Sequence, residues 1–401
     1  MSGPLKGVRI IDLSSTLMGP YASQFLGDLG AEVIKVEAPN GDVVRNVGAS
    51  KNKGMGALFL NNNRSKKSIQ IDLKSAAGRE LLLRLIKKAD VLMYNMRPQA
   101  MERLDLGYET LSEHNPRLIY AGMHGFGAHG PYSDRPAYDD LIQAGSGLAH
   151  LFSYRDPHQQ PAYVPNAISD RVGALTAVIA ILSALWERTV SGKGQKLQIP
   201  MFESMAHFVL CDHLDGLSFI PPLNEGGYTR QLSAYRKPYQ TLDGFIGVLF
   251  YTDAHWERFF KAIGRADEFS GDTRYATMES RQQHIDDIYA ELEDIFVQRS
   301  NQEWMEILIE ADVPAMPLHD FQGLLNDPHL QAVGFFEQQE HPTEGVLRTM
   351  KVPMSFSRTQ PKPTQLAPNL GADTTQVLLD FGLTETELQS LAAQGVINTN
   401  Q

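Results

Sequence analysis

The chain has 401 residues, and 47 acidic against 36 basic side chains leave a formal net charge of −11. A composition of 42% hydrophobic and 21% charged residues excludes intrinsic disorder for the bulk of it, and the length exceeds what a single core usually sustains. The acidic balance argues against general affinity for nucleic acid or membrane, so any anion site must be a local cluster of Lys and Arg.

In chain order, residues 7–13 and 31–37 are short and rich in Val and Ile, as buried strands are. Between them Tyr21, Phe25 and Leu29 share one face of a helix over 20–29, with Pro20 suited to its first position and Gly30 to its stop. Strand, helix, strand is the unit from which parallel sheets are built. A strand over 69–73 follows, then a helix over 75–88 with Leu81, Leu82, Leu85 and Ile86 as its apolar stripe. Strands over 90–95 and 117–123 precede a Gly- and Pro-punctuated loop over 125–136 and a helix over 141–151. A buried helix over 172–188 ends at Ser191-Gly-Lys-Gly, and 195–200 is another strand. Residues 1–215 therefore read as the first part of a large, doubly wound α/β domain.

Composition then shifts. Residues 220–231 read as a loop, 239–244 and 245–251 as a hairpin, and 254–263, 280–298 and 302–311 as helices. This is a smaller α+β domain over 225–315, bounded by the prolines at 314–317. Helices over 373–382 and 384–394 belong to a C-terminal part, 325–401, that returns to the large domain.

Several familiar chemistries lack their motifs. The turn after the first strand, Ser14-Ser-Thr-Leu-Met-Gly-Pro, has one glycine, so the dinucleotide fingerprint is missing. There is no G-x-x-x-x-G-K-[ST] phosphate loop and no G-x-S-x-G elbow. The 12 histidines hold no H-E-x-x-H pair, and His124 with His129 reads as a solvated pair in a glycine loop. The single Cys211 closes no intrachain disulfide, the start lacks the apolar core of a signal peptide, and the longest nearly apolar run, 172–186, is short for a membrane span. A cytoplasmic protein using neither metal nor thiol is expected.

Six segments in order carry a resemblance. They are Gly7-Val-Arg-Ile-Ile-Asp-Leu-Ser with Met18-Gly-Pro-Tyr-Ala, and Leu26-Gly-Asp-Leu-Gly-Ala-Glu-Val-Ile-Lys-Val-Glu. Next come Asn61-Asn-Asn-Arg-Ser-Lys-Lys-Ser-Ile-Gln-Ile-Asp-Leu-Lys, and Ala89-Asp-Val-Leu-Met-Tyr-Asn-Met-Arg-Pro with Arg135-Pro-Ala-Tyr-Asp. Last are Ile168-Ser-Asp-Arg-Val-Gly with Gly192-Lys-Gly-Gln, and Val313-Pro-Ala-Met-Pro with Asp327-Pro-His-Leu. Together they resemble the class III CoA-transferases, the CaiB/BaiF family, with formyl-CoA and carnitine CoA-transferases among its relatives. The resemblance implies a Rossmann-like large domain, an inserted smaller α+β domain and an interlocked homodimer.

It also implies an activity: moving coenzyme A from an acyl-CoA donor to a small carboxylic acid, through an aspartyl anhydride and an aspartyl-CoA thioester. Asp170 matches the nucleophile. A carboxylate of ordinary pKa, ~3.9, is ionised at neutral pH and needs no general base. On spacing alone Asp170 reads first as the N-cap of the following apolar helix, with Ser169 as an alternative cap; it is the resemblance that points to the nucleophile. Coenzyme A enters as substrate, no cofactor or metal is implied, and the partners are acyl-CoA, a carboxylic acid and a second copy of the chain.

By position in the family, Leu17, Met18, Lys74, Asn95, Met96, Arg97, Arg103 and Arg135 match coenzyme contacts. Tyr138 is a candidate substrate-side hydrogen bonder, and Gly226-Gly227 matches a mobile loop over the aspartyl intermediate. Plainer readings stand beside these: Lys66, Lys67 and Lys74 as a solvated face, Arg103 paired with Asp105 or Glu102, and the glycine pair as a linker turn. Where some relatives place an arginine at the adenine, this chain has Ala38-Pro39, so no adenine contact is assigned there. Arg230, Arg236 and Lys237 are candidates for a second carboxylate, beside the reading of a solvated basic loop.

Two alternatives differ in kind. An α-methylacyl-CoA racemase would carry Gly-His-Asp-x-x-Tyr where this chain has Ala137-Tyr138-Asp139, and a tyrosine is a poor base at neutral pH. His124 or His129 would have to substitute for that histidine. A non-catalytic CoA-binding protein would have no use for Asp170.

Overall fold

The computed structural model describes residues 3–155 and 158–399. They divide into two compact units. The first takes the described residues of Met1–Ser146, Val164–Phe208 and Val333–Gln401; the second takes those of Gly147–Tyr163 and Val209–Ala332. The limits differ from 1–215, 225–315 and 325–401 chiefly because Gly147–Tyr163 joins the second unit, which also runs on past the prolines at 314–317.

In the first unit six strands form one sheet: β1 (Arg9–Asp12), β2 (Glu32–Glu37), β3 (Lys66–Gln70), β4 (Val91–Tyr94), β5 (Ile119–His124) and β6 (Lys196–Pro200). All neighbours are parallel, in the order β3-β2-β1-β4-β5-β6. Strand order runs outward from β1 in both directions, so the chain leaves the sheet on opposite sides after β1 and β4, and a crevice opens between their carboxyl ends. Val91–Tyr94 is buried throughout, as a strand covered on both faces must be.

The helix Ala76–Ile86 buries the four residues of its expected stripe, and the Ser75 side chain accepts from Gly78 N–H to cap it. The C-terminal helices Thr374–Asp380 and Glu385–Ala393 bring Val377, Leu378 and Leu388 into the same apolar core. β3 lies three residues earlier than expected because it opens on Lys66, a charged side chain that the fold buries. The helix expected over 172–188 runs from Ile168 to Ser191, where Gly192 in left-handed backbone (φ 74°) ends it. By length and composition it could cross a membrane, well beyond the short apolar run, but half of its apolar window is buried against the helix Met18–Asp28 and strands β5 and β6. The helix expected over 141–151 stops at Gly145, because Gly147 turns the chain through left-handed backbone. Pro98–Arg103, Tyr108–His114, Met201–His213 and the hairpin of β10 (Phe336–His341) and β11 (Gly345–Met350) were not expected.

The second unit packs an antiparallel sheet of β7 (Tyr239–Gln240), β8 (Phe245–Val248) and β9 (Ala315–Pro317) with helices whose core is rich in aromatics, among them Trp256, Phe259, Phe260, Phe296 and Trp304. Of the proline pair read as a boundary, Pro314 precedes β9 and Pro317 ends it; β9 is an edge strand, where a missing N–H is tolerated. The helix expected over 280–298 breaks at His284 into Met278–Gln283 and Ile285–Phe296.

Candidate active site

The crevice between β1 and β4 is shaped by two turns clipped to each other. Ser15 N–H donates to Asn95 Oδ1 (3.1 Å), and Asn95 Nδ2 donates to Ser15 O (2.8 Å). Beneath them lies a buried charge network. Lys35 donates to Ser14 O (2.8 Å) and to Asp42 Oδ2 (2.9 Å), and Asp42 Oδ1 accepts from Thr16 N–H (3.1 Å), fixing Thr16 at φ 72°. Asp12 accepts from Ser14 N–H (2.9 Å) and the Ser23 hydroxyl (2.5 Å). Burial works to raise the Asp12 pKa, but the ammonium groups of Lys66 and Lys35 outweigh it and hold it below its ordinary value. Lys66 is therefore no part of a solvated face: it is 1% exposed, donates to Pro20 O (2.8 Å), and burial pushes its pKa down to about 7.

Asp170 is the third residue of its helix and not the N-cap, which is Ala167. The capping acceptor comes from elsewhere. Asp139, the first residue of the helix Asp139–Gly145, accepts Asp170 N–H on Oδ1 (3.0 Å) and Gln143 Nε2 on Oδ2 (2.7 Å). The fully buried Gln143 amide also donates to Val164 O and Asn166 O (3.3 Å each) and accepts from Val164 N–H (2.9 Å). One glutamine thus ties the segment 164–166 and Asp139 together, and Asp139 sets the start of the helix.

The Asp170 carboxyl is held at an elevated pKa of about 6, and its ordinary value was expected. Burial is the main cause, and the nearby charge of Asp139 adds to it; Arg171 and the Met18 backbone N–H pull the other way. Asp170 is 8% exposed. Two helix starts, Met18–Asp28 and Ile168–Ser191, therefore meet at this carboxylate and favour its charged form. Gly173 leaves room for the Met18 side chain, since a Cβ there would fall 2.7 Å from Met18 Cε. Arg171 donates to Asn62 Oδ1 (2.6 Å) and stacks on Tyr21 (4.1 Å).

A cavity of about 280 Å³ opens over Asp170. Met18, Asn95, Met96, Arg97, Arg135 and Tyr138 all line it. Leu17, Lys74 and Arg103 do not: Leu17 caps the first helix, while Lys74 and Arg103 are exposed. Arg103 has no ion pair with Asp105 or Glu102 among the described residues. Gly226 and Gly227 belong to the second unit, where φ values of 82° and 92° demand glycine, and the N–H of Gly227 donates to His213 O (2.8 Å). Arg97 and Arg135 have no carboxylate partner among the described residues, and Arg135 lies over the Tyr132 ring (4.1 Å).

His124 also lines the cavity, at the end of β5, and is not a solvated loop residue. Burial first, and Lys196 second, push its pKa down to about 4, so it is neutral at pH 7. Tyr138 is 68% exposed at the mouth. No group of three His, Cys, Asp or Glu side chains that could hold a metal ion occurs among the described residues. Asp139, Gln143 and Thr16 were given no role from the sequence, and His124 only that of a solvated loop residue or of a substitute base in a racemase. Asp139 directly follows Tyr138 in the recognised segment, but nothing in its spacing announces a bond to a residue 31 positions on.

A recessed carboxylate between two helix starts, with guanidinium groups along the same cavity, is equipped to attack a carbonyl carbon beside a bound anion. The model of CoA-transferase family III matches residues 5–374. Succinyl-CoA:mesaconate CoA-transferase from Haloarcula hispanica is 30% identical over 400 residues, covering 95% of this chain and 97% of that protein. Formyl-CoA:oxalate CoA-transferase from Escherichia coli O157:H7 is 30% identical over 416 residues, covering 98% and 99%. The crystal structure of a CaiB/BaiF family protein from Brucella suis superposes with a TM-score of 0.80 at 29% identity, covering 95% of this chain and all of that one. The chain belongs to CoA-transferase family III and is an enzyme of that class.

Proposed function

We propose that the enzyme transfers coenzyme A from an acyl-CoA to a small dicarboxylic acid, with Asp170 as covalent relay. Asp170 Oδ attacks the thioester carbonyl carbon, the C–S bond breaks, and CoA leaves as thiolate from an acyl–aspartyl anhydride. The thiolate then attacks Asp170 Cγ, the anhydride C–O bond breaks, and the donor acid departs from an aspartyl-CoA thioester. An acceptor carboxylate attacks the same Cγ and expels the thiolate. The thiolate closes the cycle on the acceptor's carbonyl carbon and frees Asp170. No net proton, water, metal or nucleotide is consumed.

The observation that carries this reading is the Asp170 carboxylate itself, recessed yet lining a cavity at the switch point of the sheet. A pKa of about 6 leaves it about nine-tenths ionised at pH 7 and more nucleophilic than an ordinary aspartate. Arg97 and Arg135 supply cations for CoA phosphates or for the acceptor's far carboxylate. A dicarboxylic acceptor is supported by the mesaconate and oxalate named for the relatives. The decisive experiment incubates the enzyme with succinyl-CoA and then hydroxylamine, and maps the adduct by mass spectrometry. A hydroxamate at Asp170, with CoA moved to mesaconate or oxalate, is expected; turnover without any Asp170 adduct refutes the relay.

One observation favours a second reading. His124 and Asp170 share the cavity, as the two proton carriers of a racemase would. A histidine titrating near 4 is a weak base at pH 7. Deuterium wash-in at the α-carbon of a 2-methylacyl-CoA would select that reading.

The quaternary part of the proposal is an interlocked homodimer, with the second unit inserted in the chain of the first. Its support is an apolar stripe on the outer face of the helix Ile168–Ser191: Leu175, Ile179, Trp186 and Val190 are 45–82% exposed. Sedimentation at twice the 44.6 kDa chain mass is expected.

A further inference from the structure

A cavity of about 500 Å³ in the second unit lies well within the range of small-molecule sites. It opens beside the loop leading into β7 and against strands β8 and β9. Arg230, Arg236 and Lys237 line it, and no acidic residue does. That is a local excess of positive charge in a chain of net charge −11. Lys237 is partly neutralised by Glu293 at 2.8 Å. The guanidinium groups of Arg230 and Arg236 have no ion pair or hydrogen bond among the described residues. Two uncompensated guanidinium groups at one cavity repel each other, and an anion relieves that repulsion while offering oxygens to their N–H forks.

The loop carrying these cations is held in place. The buried Ser233 hydroxyl donates to Asp286 Oδ1 (2.5 Å) and accepts from Tyr235 N–H (3.2 Å), and Arg236 O accepts from Arg155 (2.8 Å). The rest of the lining is mostly apolar and ordered: Tyr239 stacks on Phe296 (4.7 Å), Phe250 stacks on Trp256 (4.5 Å), and Leu249 and Met316 present partly exposed hydrocarbon. Cations together with a mostly apolar lining describe a ligand with a charged end and a hydrocarbon body.

We propose that this cavity binds a carboxylic acid with a flat or branched apolar body, its carboxylate on Arg230 and Arg236 and its hydrocarbon on Tyr239, Phe250 and Met316. The cavity shares no lining residue with the Asp170 cavity, and the proposal does not depend on the transfer chemistry proposed above.

The test titrates the full-length protein with 2-naphthoate by isothermal calorimetry. One saturable site per chain is expected, weakened at least tenfold in Arg230→Gln and in Arg236→Gln and unchanged in Asp170→Asn. Gly247→Phe provides a second route to the same answer. A Cβ at Gly247 meets nothing closer than Met316 O at 3.6 Å, so a side chain can start there without a clash, and a ring on this lining residue should obstruct the cavity and abolish binding. Near-UV circular dichroism like that of the parent establishes that each variant is folded. The cationic isostere 2-naphthylmethylamine should not bind. The proposal is overturned if 2-naphthoate shows no saturable binding, if the arginine and Gly247 variants bind like the parent, or if CoA or the Asp170 substitution displaces it.

Discussion

Replacing Asp170 by Asn removes a charge that the fold holds at a cost. In the unfolded chain this carboxyl titrates near 3.8, and in the folded protein near 6. Below pH 3.8 both states are protonated and the group contributes nothing. As pH rises from 3.8 to 6 the unfolded chain loses its proton first, so stability falls by ~1.4 kcal/mol per pH unit. Above pH 6 both states are ionised and the native protein carries the whole penalty, about 3 kcal/mol. This slope is opposite to that of a salt-bridged aspartate. Asp170→Asn keeps the shape and discards the charge. It should therefore be more stable than the parent by up to about 3 kcal/mol at pH 8, by roughly half of that at pH 5, and by nothing at pH 3.5. Urea midpoints of both proteins at one protein concentration across that pH range measure the difference. The same substitution should lower turnover by at least about a thousandfold, or ~4 kcal/mol of barrier. A variant no more stable than the parent at pH 8, or an advantage that ignores pH, would refute the argument that burial and Asp139 hold this carboxyl high.

Three further outcomes follow from the same geometry. Asp139→Asn keeps an acceptor for Asp170 N–H but removes the like charge, so the acid limb of kcat/KM against pH should move below 6. Lys35→Met removes the ammonium group bonded to Asp42 and leaves Lys66 alone beside the buried Asp12. It should cost about 3–5 kcal/mol in urea unfolding and raise KM for acyl-CoA, because the turn at Thr16 loses its anchor. Gly173→Ala puts a methyl group 2.7 Å from the end of a flexible methionine, so a stability loss of only about 1 kcal/mol is expected. The displaced Met18 should enter the cavity and raise KM for acyl-CoA while kcat changes little.

Much of the scaffold was legible because it is written in local apolar pattern. The stripe Leu81, Leu82, Leu85 and Ile86 and the cap at Ser75 define their helix without reference to anything distant. Elements were misplaced where a polar residue took a core position or the backbone turned on one residue. β3 starts at the buried Lys66, and the helices of the second unit break at His284. Within the site, the motif around Asp170 and the turns at Met18 and Asn95 could be read directly. Their meeting in one cavity could not, since the residues lie on three separate strand-to-helix crossings.

The amino-acid sequence alone therefore determined the alternation of strands and helices, the absence of dinucleotide and phosphate-loop motifs, and the aspartate to watch. These depend on the identities of neighbours along the chain. Strand order, the burial of Lys66, the neutral His124 and the pairing of Asp170 with Asp139 were decided only in three dimensions. Each is a matter of how far a charge stands from water and from other charges, and those distances exist only once segments remote in the chain have packed together.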